Sequence, residues 1–551
     1  MKIGYYPNKD VRNNVSAFVQ NHAKECSQKI AFYYKLKAEE NKNSLRCVNY
    51  GDFYEMVKAF PGNLAEMGIK KGDRIIVFSP ISYELYVSII GLQHMGAVPV
   101  LIDSISRIEQ LKDVIGNSEP VGIIADSEWL KMIEDNKVIK ESEWLNRKIT
   151  IGQYKGKWKV FDFKEIKKNL TSEVVPVSGE DTALITYTTG SSGVPKGVDR
   201  THNFLSAQHY ALKRLFPYKR DDIDMPVFPV FALNNIASGI STVIPEADIS
   251  RGDSKNLRAV LSQLEDCNVN CMTLSPSSFY NLALFCKENK KKLNRISRVL
   301  TGGAPISENE IRKFIEIVPN SQNWILYGST EVEPISFIES REMISIRPKK
   351  HKNITQAGVN VGKIDKALSY KLIGLENRDK KSENLLRRVV KEGEVGELVV
   401  SGEHVCKKYY NNKEAFKKAK LIDTDGSIWH RTGDLARVES GVLWIVGRKH
   451  NIIRHEGNIY FPVRPEIILK DIKGVLNAAY LETEKHNILA VLVVENGFNK
   501  EKIEIKVFEK FLKKSIPLDL VVFMDQIPMD VRHHSKVDYK KLKQQLHESN
   551  L

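Results

Sequence analysis

The sequence predicts an α/β protein: a large N-terminal domain of parallel-rich sheets flanked by helices, then a smaller C-terminal α+β domain. Three observations lead there. The chain has 551 residues, more than one hydrophobic core supports, so at least two domains are expected. Short apolar runs alternate with stretches of helical length, the pattern of strand–helix–strand units in a parallel sheet. After about residue 393 the texture changes to short β runs separated by glycine turns.

Taken in order, RIIVFSP at 74–80 reads as a strand, ELYVSIIGLQHMG at 84–96 as a helix and VPVLIDS at 98–104 as a strand. The segment 87–102 is the most apolar of the chain, but Gln93, His94, Gly96 and Pro99 interrupt it. It therefore reads as a buried helix and strand, and no transmembrane segment is expected. VGIIADS at 121–127, CMTLSPSS at 271–278 and SRVLTGG at 297–303 repeat the unit. GEVGELVVSG, HVCKKYY and GVLWIVGR, all within 393–448, suggest a small β-rich subdomain, a barrel or antiparallel sheet, over 393–447. Residues 448–551 carry their own apolar set, so the expected division is 1–447 and 448–551.

Composition excludes several roles. The net charge is +15, from 83 basic and 68 acidic side chains, but the lysines are spread, with only small clusters such as 287–292. No aromatic-interleaved basic patch stands out, so a solvated surface is expected and no nucleic-acid partner. The six cysteines are scattered; Cys267 and Cys271 lie four apart with no second pair. Reduced thiols and a cytoplasmic location are expected, and not a cysteine metal site. The first ten residues have no apolar core of signal-peptide type.

The strongest local signal is ALITYTTGSSGVPKGVDRTH at 183–202. A strand runs into a loop where Gly190, Gly193 and Gly197 let backbone N–H groups approach an anion. Thr188, Thr189, Ser191 and Ser192 add hydroxyl donors and Lys196 a positive charge, a nest suited to polyphosphate. It is not a Walker A loop, because Gly197, not Ser or Thr, follows Lys196.

This segment resembles the signature of the adenylate-forming superfamily: acyl-CoA synthetases, peptide-synthetase adenylation domains and firefly-type luciferases. The resemblance extends along most of the chain, in order. Leu300-Thr301-Gly302-Gly303-Ala304-Pro305 is similar to the family's adenine-contacting turn, and Tyr327-Gly328-Ser329-Thr330-Glu331 to its YGxTE motif. Trp429-His430-Arg431-Thr432-Gly433-Asp434 is similar to W-x-R-T-G-D, Gly447-Arg448-Lys449 to the start of the hinge, and Lys536 stands where the C-terminal catalytic lysine is expected.

The resemblance implies roles. Thr188, Thr189, Gly190, Ser191, Ser192, Gly193 and Lys196 would hold the ATP phosphates. Thr330 would contact phosphate, and Glu331 would help bind Mg²⁺, a hard cation suited to carboxylate oxygen. Tyr327 would stack on adenine beside Gly328, Gly303, Ala304 and Pro305. Asp434 would accept from the ribose hydroxyls with Arg448 assisting. Lys536 would bridge the attacking carboxylate and the α-phosphate. Phe228, Phe231, Ala232, Leu233, Asn234, Asn235 and Gly302 would form the acid pocket, whose mostly apolar walls favour a fatty or other hydrophobic acid. The two asparagines either hydrogen-bond a polar group on the substrate or cap a local turn. The C-terminal domain would be mobile, rotating about the hinge between half-reactions.

The chain also departs from the common pattern. Many acyl-CoA synthetases carry an aromatic residue or histidine where this chain has 228–234. The hinge position, usually Asp or Lys, is His450. Glu456-Gly457 replaces a glycine pair that lines the pantetheine tunnel in CoA-using members, adding bulk and charge. The tail reads Arg532-His533-His534-Ser535-Lys536 where serine- or threonine-glycine-lysine is usual. FPVFAL, YGSTEVEPIS and PMDVRHHSK resemble a subgroup containing the β-lactone synthetases of bacterial olefin biosynthesis and members labelled fatty-acyl-CoA ligase. Two outcomes therefore stay open after acyl-AMP forms. One is transfer to CoA. The other is CoA-free: ring closure by the substrate's own β-hydroxyl, or loading onto an acyl carrier protein or an amine. A non-catalytic binding protein is disfavoured, because the phosphate loop, Glu331, Asp434, Arg448 and Lys536 are all present.

Overall fold

The computed structural model describes residues 13–35, 45–102, 108–136, 145–189, 195–346, 351, 353–375, 382–530 and 535–549. Two large sheets dominate them. The first has seven strands, parallel from Phe161–Asp162 through Arg147–Ile151, Gly122–Asp126, Arg74–Phe78 and Val98–Ile102 to Thr182–Thr189. Its last pair is antiparallel, formed when Pro195–Thr201 folds back on Thr182–Thr189. The helix Tyr83–His94 between two of these strands is buried along its whole length, which is why its sequence is apolar on every face. Ser82 caps it by accepting the Leu85 N–H.

The second sheet has fourteen strands and changes character along its width. Ile223–Pro226, Cys271–Leu274, Arg298–Gly302 and Gln322–Ser329 pair in parallel. From Gln322–Ser329 onward the pairing is antiparallel, through Val332–Glu339, Val359–Ile364, Val442–Arg448, Ile428–Glu439 and Gly396–Ser401. The β-rich region is thus hydrogen-bonded directly onto the parallel strands. The segment HVCKKYY is not one of the described strands; Val405 and Tyr409 make only isolated bridges. Val405 bridges Val332 of this sheet, with the Cys406 N–H donating to the Glu331 carbonyl at 2.7 Å, whereas Tyr409 bridges Val198 of the first sheet, so no continuous ladder forms.

Beyond Arg448 a short helical turn, Lys449–Asn451, leads to the hairpin Ile453–His455/Asn458–Tyr460 and a three-stranded sheet. That sheet pairs Val475–Glu482 antiparallel with Ile488–Val494, and the latter parallel with Leu520–Phe523. Period-two alternation covers both faces. Ala478, Tyr480, Ala490 and Leu492 pack on Val507 and Phe511 of helix Lys500–Leu512. Ala479, Leu481, Leu489 and Val491 pack on Leu542 and Leu546 of helix Tyr539–Glu548. Among the described residues no helix is long and apolar enough to cross a membrane, and all six cysteines are free.

Candidate active site

Gly302, Tyr327 and Gly328 stand at the carboxyl ends of the paired strands Arg298–Gly302 and Gln322–Ser329. Gly302 must be glycine: a Cβ there would lie 2.2 Å from the Leu326 carbonyl oxygen of the neighbouring strand. Gly303 turns the chain with φ +102°, a conformation that L side chains rarely adopt, and leads into Ala304 and Pro305. Tyr327 and Gly328 close the adjacent strand.

Asp434 is 8 % exposed and is the centre of a three-residue arrangement. The Tyr327 hydroxyl donates to its Oδ2 at 2.7 Å, and Arg448 Nε lies 3.0 Å from its Oδ1. Asp434 and Arg448 face one another across two paired strands, so backbone register places this ion pair. Each carboxylate oxygen can accept a second hydrogen bond, which leaves capacity for hydroxyl donors.

Glu331 lies next in the chain to Thr330, whose carbonyl accepts from buried Arg200 at 2.9 Å. The Tyr409 hydroxyl donates to Glu331 Oε1 at 2.9 Å. Burial pushes the Glu331 carboxyl up, but His430, Lys420 and the Tyr409 hydroxyl together hold it at about 2. Burial and Lys420 hold His430 itself at about 3, so it is uncharged at neutral pH. Lys420 and Tyr409 are then the groups that keep Glu331 ionised. Lys420 is buried, and its ammonium donates to the Cys406 carbonyl. Arg448 connects the two groups electrostatically: Asp434 foremost, and Glu331 with it, favour its charged form. An ionised carboxylate of this kind fits the hard-oxygen preference of Mg²⁺.

Thr188 and Lys196 are opposite partners in the hairpin Thr182–Thr189/Pro195–Thr201, followed by the Thr189–Pro195 pair. Gly190, Ser191, Ser192 and Gly193 lie outside the described residues, as do Arg532, His533 and His534.

The helix Pro229–Ser238 starts with proline at its first position and stops at Gly239, which has φ 70°. Its pocket residues divide between two cores. Phe231 packs with Leu300 and Leu326, and Phe228 joins that cluster with its ring 6.1 Å from the Phe231 ring. Ala232 and Leu233 instead join a core with the helices Tyr50–Glu66 and Tyr83–His94. Neither asparagine caps a turn through its side chain. Asn234 Oδ1 is 2.9 Å from His209 Nδ1, and Asn235 donates to Asp224 at 2.8 Å.

Lys536 is exposed, in a segment clamped by Asp530, whose Oδ1 accepts the N–H of both Ser535 and Lys536 at 2.9 and 2.7 Å. The Ser535 hydroxyl donates to Ser277 Oγ at 3.2 Å. Ser277 opens the helix after strand Cys271–Leu274, so the Lys536 segment docks beside the strand ends that carry Gly302. Glu456 and Gly457 form the two-residue tip of the hairpin Ile453–His455/Asn458–Tyr460, with φ 48° and 75°. The Glu456 side chain is 82 % exposed there.

A family model described as AMP-binding enzyme matches residues 19–410. The chain belongs to the AMP-binding enzyme family. It is 26 % identical over 500 residues to the olefin beta-lactone synthetase of Stenotrophomonas maltophilia, covering 88 % of each chain. It is also 26 % identical over 478 residues to a probable CoA ligase of Humulus lupulus, covering 82 % of this chain and 80 % of that one. Among solved structures, the anthranilate CoA ligase in complex with anthranoyl-AMP superposes with a TM-score of 0.80 at 15 % identity, covering 98 % of both chains.

Tyr409, Lys420, Arg200 and His209 complete these groupings; Arg200 lies within the 183–202 segment without having been singled out, and no functional motif pointed to the other three. Tyr409 and Lys420 lie 78 and 89 positions after Glu331, and only tertiary packing brings them to it.

Proposed function

We propose that this enzyme joins a hydrophobic carboxylic acid to AMP and then passes the acyl group to CoA or another acceptor. In the first step a carboxylate oxygen attacks the α-phosphorus of ATP, and the bond to pyrophosphate breaks. Both reactants are anionic, so positive groups must bring them together and hold them in line. Lys196, with Thr188, Thr189, Ser191 and Ser192, holds the phosphates, and Lys536 bridges the carboxylate and the α-phosphate. Asp434 accepts from the ribose, Tyr327 lies on the adenine, and Glu331 with Thr330 serves the metal and phosphate. Mg²⁺, when bound, offsets phosphate charge. The observation that supports this most is the Tyr327–Asp434–Arg448 arrangement coupled to an ionised Glu331.

Residues 1–447 and 448–551 act as two domains in this reading, with His450 at the hinge and the smaller one mobile. A second reading, closure of a β-hydroxy acid into a β-lactone without CoA, is favoured by Glu456 and by the relatives named for that activity. One assay separates the two. Purified enzyme, ATP, Mg²⁺ and an acid panel including β-hydroxy acids are incubated with and without CoA, and products are weighed by mass spectrometry. A CoA thioester supports transfer; CoA-indifferent loss of water from the hydroxy acid supports ring closure. Lys536→Ala should lower ATP–pyrophosphate exchange by at least about a hundredfold; exchange at the wild-type rate removes Lys536 from the mechanism.

A further inference from the structure

Thr330 and Glu331 form the two-residue tip of a hairpin, because Ser329 and Val332 on either side of them are paired. Each carbonyl of this tip is held from outside the hairpin. The Cys406 N–H donates to the Glu331 carbonyl at 2.7 Å. The Arg200 guanidinium donates to the Thr330 carbonyl at 2.9 Å. Arg200 belongs to Pro195–Thr201, a strand of the seven-stranded sheet, whereas the tip belongs to the fourteen-stranded one. Cys406 lies on the segment 405–410, which bridges both sheets.

Arg200 shares its strand with Lys196. The two oppose Leu184 and Thr188 in register, so period-two alternation puts both on one face, with Val198 between them. Four residues of strand separate them by about 13 Å. Val198 clusters with Cys406 and Tyr409. The segment 405–410 is also tied to this strand. The Tyr410 N–H donates to the Gly197 carbonyl, next to Lys196, at 2.8 Å, and Lys408 Nζ lies 3.1 Å from Asp199 Oδ2. The strand of Lys196, the tip with Glu331 and the segment 405–410 therefore brace one another pairwise. Arg200 is 4 % exposed, with its guanidinium 5.6 Å over the Phe204 ring. Burying a guanidinium is unfavourable by itself, and an apolar side chain would fill the space at less cost. What arginine adds is a long, rigid, always charged donor that reaches from one sheet to the other.

Resting on the reading in which Lys196 holds phosphate and Glu331 serves Mg²⁺, we infer that Arg200 is a positioning residue. It fixes the Thr330–Glu331 tip against the strand of Lys196, so that both meet one polyphosphate at a set separation. Tyr327 and Asp434, assigned to the adenosine end, are held by each other and by Arg448. Arg200 thus governs binding of the polyphosphate end of the nucleotide and not of the adenosine end.

Calorimetry on the purified full chain tests this with two ligands. One is AMP; the other is Mg²⁺ with the α,β-methylene analogue of ATP, which cannot be cleaved at that bond. Arg200→Met keeps bulk over Phe204 and removes the donor. The Kd of the Mg²⁺–analogue should rise about tenfold, the size for a hydrogen bond from a charged donor, while that of AMP stays at the wild-type value. Arg200→Lys, which keeps a charged donor, should recover part of the loss. An unchanged analogue Kd overturns the inference, as does a lysine variant as weak as the methionine one. So does an equal loss for both ligands in a variant with the wild-type unfolding midpoint. If Arg200→Met does not fold, Lys408→Ala loosens the same brace from an exposed position. It should raise the analogue Kd about twofold to threefold with AMP unchanged, and no rise overturns the inference. Neither ligand requires the acid. The acid-activating reading falls separately, if wild type binds both ligands yet shows no acid-dependent ATP–pyrophosphate exchange.

Discussion

Tyr409 and Glu331 are joined by a single hydroxyl-to-carboxylate hydrogen bond, and removing that hydroxyl isolates one interaction at the residue scale. Tyr409→Phe keeps the ring that packs beneath Lys420 but takes away a donor to the carboxylate. A hydrogen bond to a charged group contributes about 1.5–3 kcal/mol. If Glu331 serves Mg²⁺, the Mg²⁺ concentration giving half-maximal pyrophosphate release should rise several-fold in Tyr409→Phe; an unchanged titration curve would remove Tyr409 from that role. The same scale shows what is invisible in sequence. Glu331 was legible because it sits in a contiguous motif. Its supporting groups were not, because a buried lysine and a tyrosine far along the chain leave no local spacing to read.

Glu466 illustrates the element scale. It lies on helix Val463–Lys470, accepts the Tyr480 N–H of strand Val475–Glu482 at 3.3 Å and receives the Tyr539 hydroxyl from the last helix. One side chain thus ties three elements of the C-terminal region together. Burial raises its carboxyl from 4.5 to about 8, against smaller opposing contributions from Lys470 and the Tyr480 N–H. The sign follows from linkage. Between about 4.5 and 8 the unfolded chain has lost this proton while the folded chain keeps it, so stability falls as pH rises through that window. Glu466→Gln should flatten the dependence of the thermal unfolding midpoint on pH over that range; an identical slope in wild type and variant would contradict it. Elements themselves were largely readable. The strands Arg74–Phe78, Val98–Ile102, Gly122–Asp126 and Arg298–Gly302 lie within the runs that predicted them. HVCKKYY misled because its alternation suited a strand while its two ends bridge different sheets: Val405 to Val332 of the fourteen-stranded sheet, and Tyr409 to Val198 of the seven-stranded one.

At the scale of the whole molecule, the contact between Ser535 and Ser277 joins the tail that carries Lys536 to the large sheet's strand ends. If delivery of Lys536 depends on this docking, Ser277→Ala should slow ATP–pyrophosphate exchange about threefold to tenfold, the range for one neutral hydrogen bond, without lowering the unfolding midpoint. Exchange at the wild-type rate would show that the contact is incidental. The sequence by itself determined the α/β class, the order of the motifs and membership of a family that handles AMP. Those properties reside in contiguous residues, whose periodicity and spacing are set by local geometry. It could not determine that the antiparallel strands extend the parallel sheet, that Asp434 pairs with Arg448 through strand register, or that Asn234 and Asn235 turn to different partners. Those facts depend on which residues meet across long separations, and only the tertiary structure settles that, by packing side chains from distant segments into the same buried space.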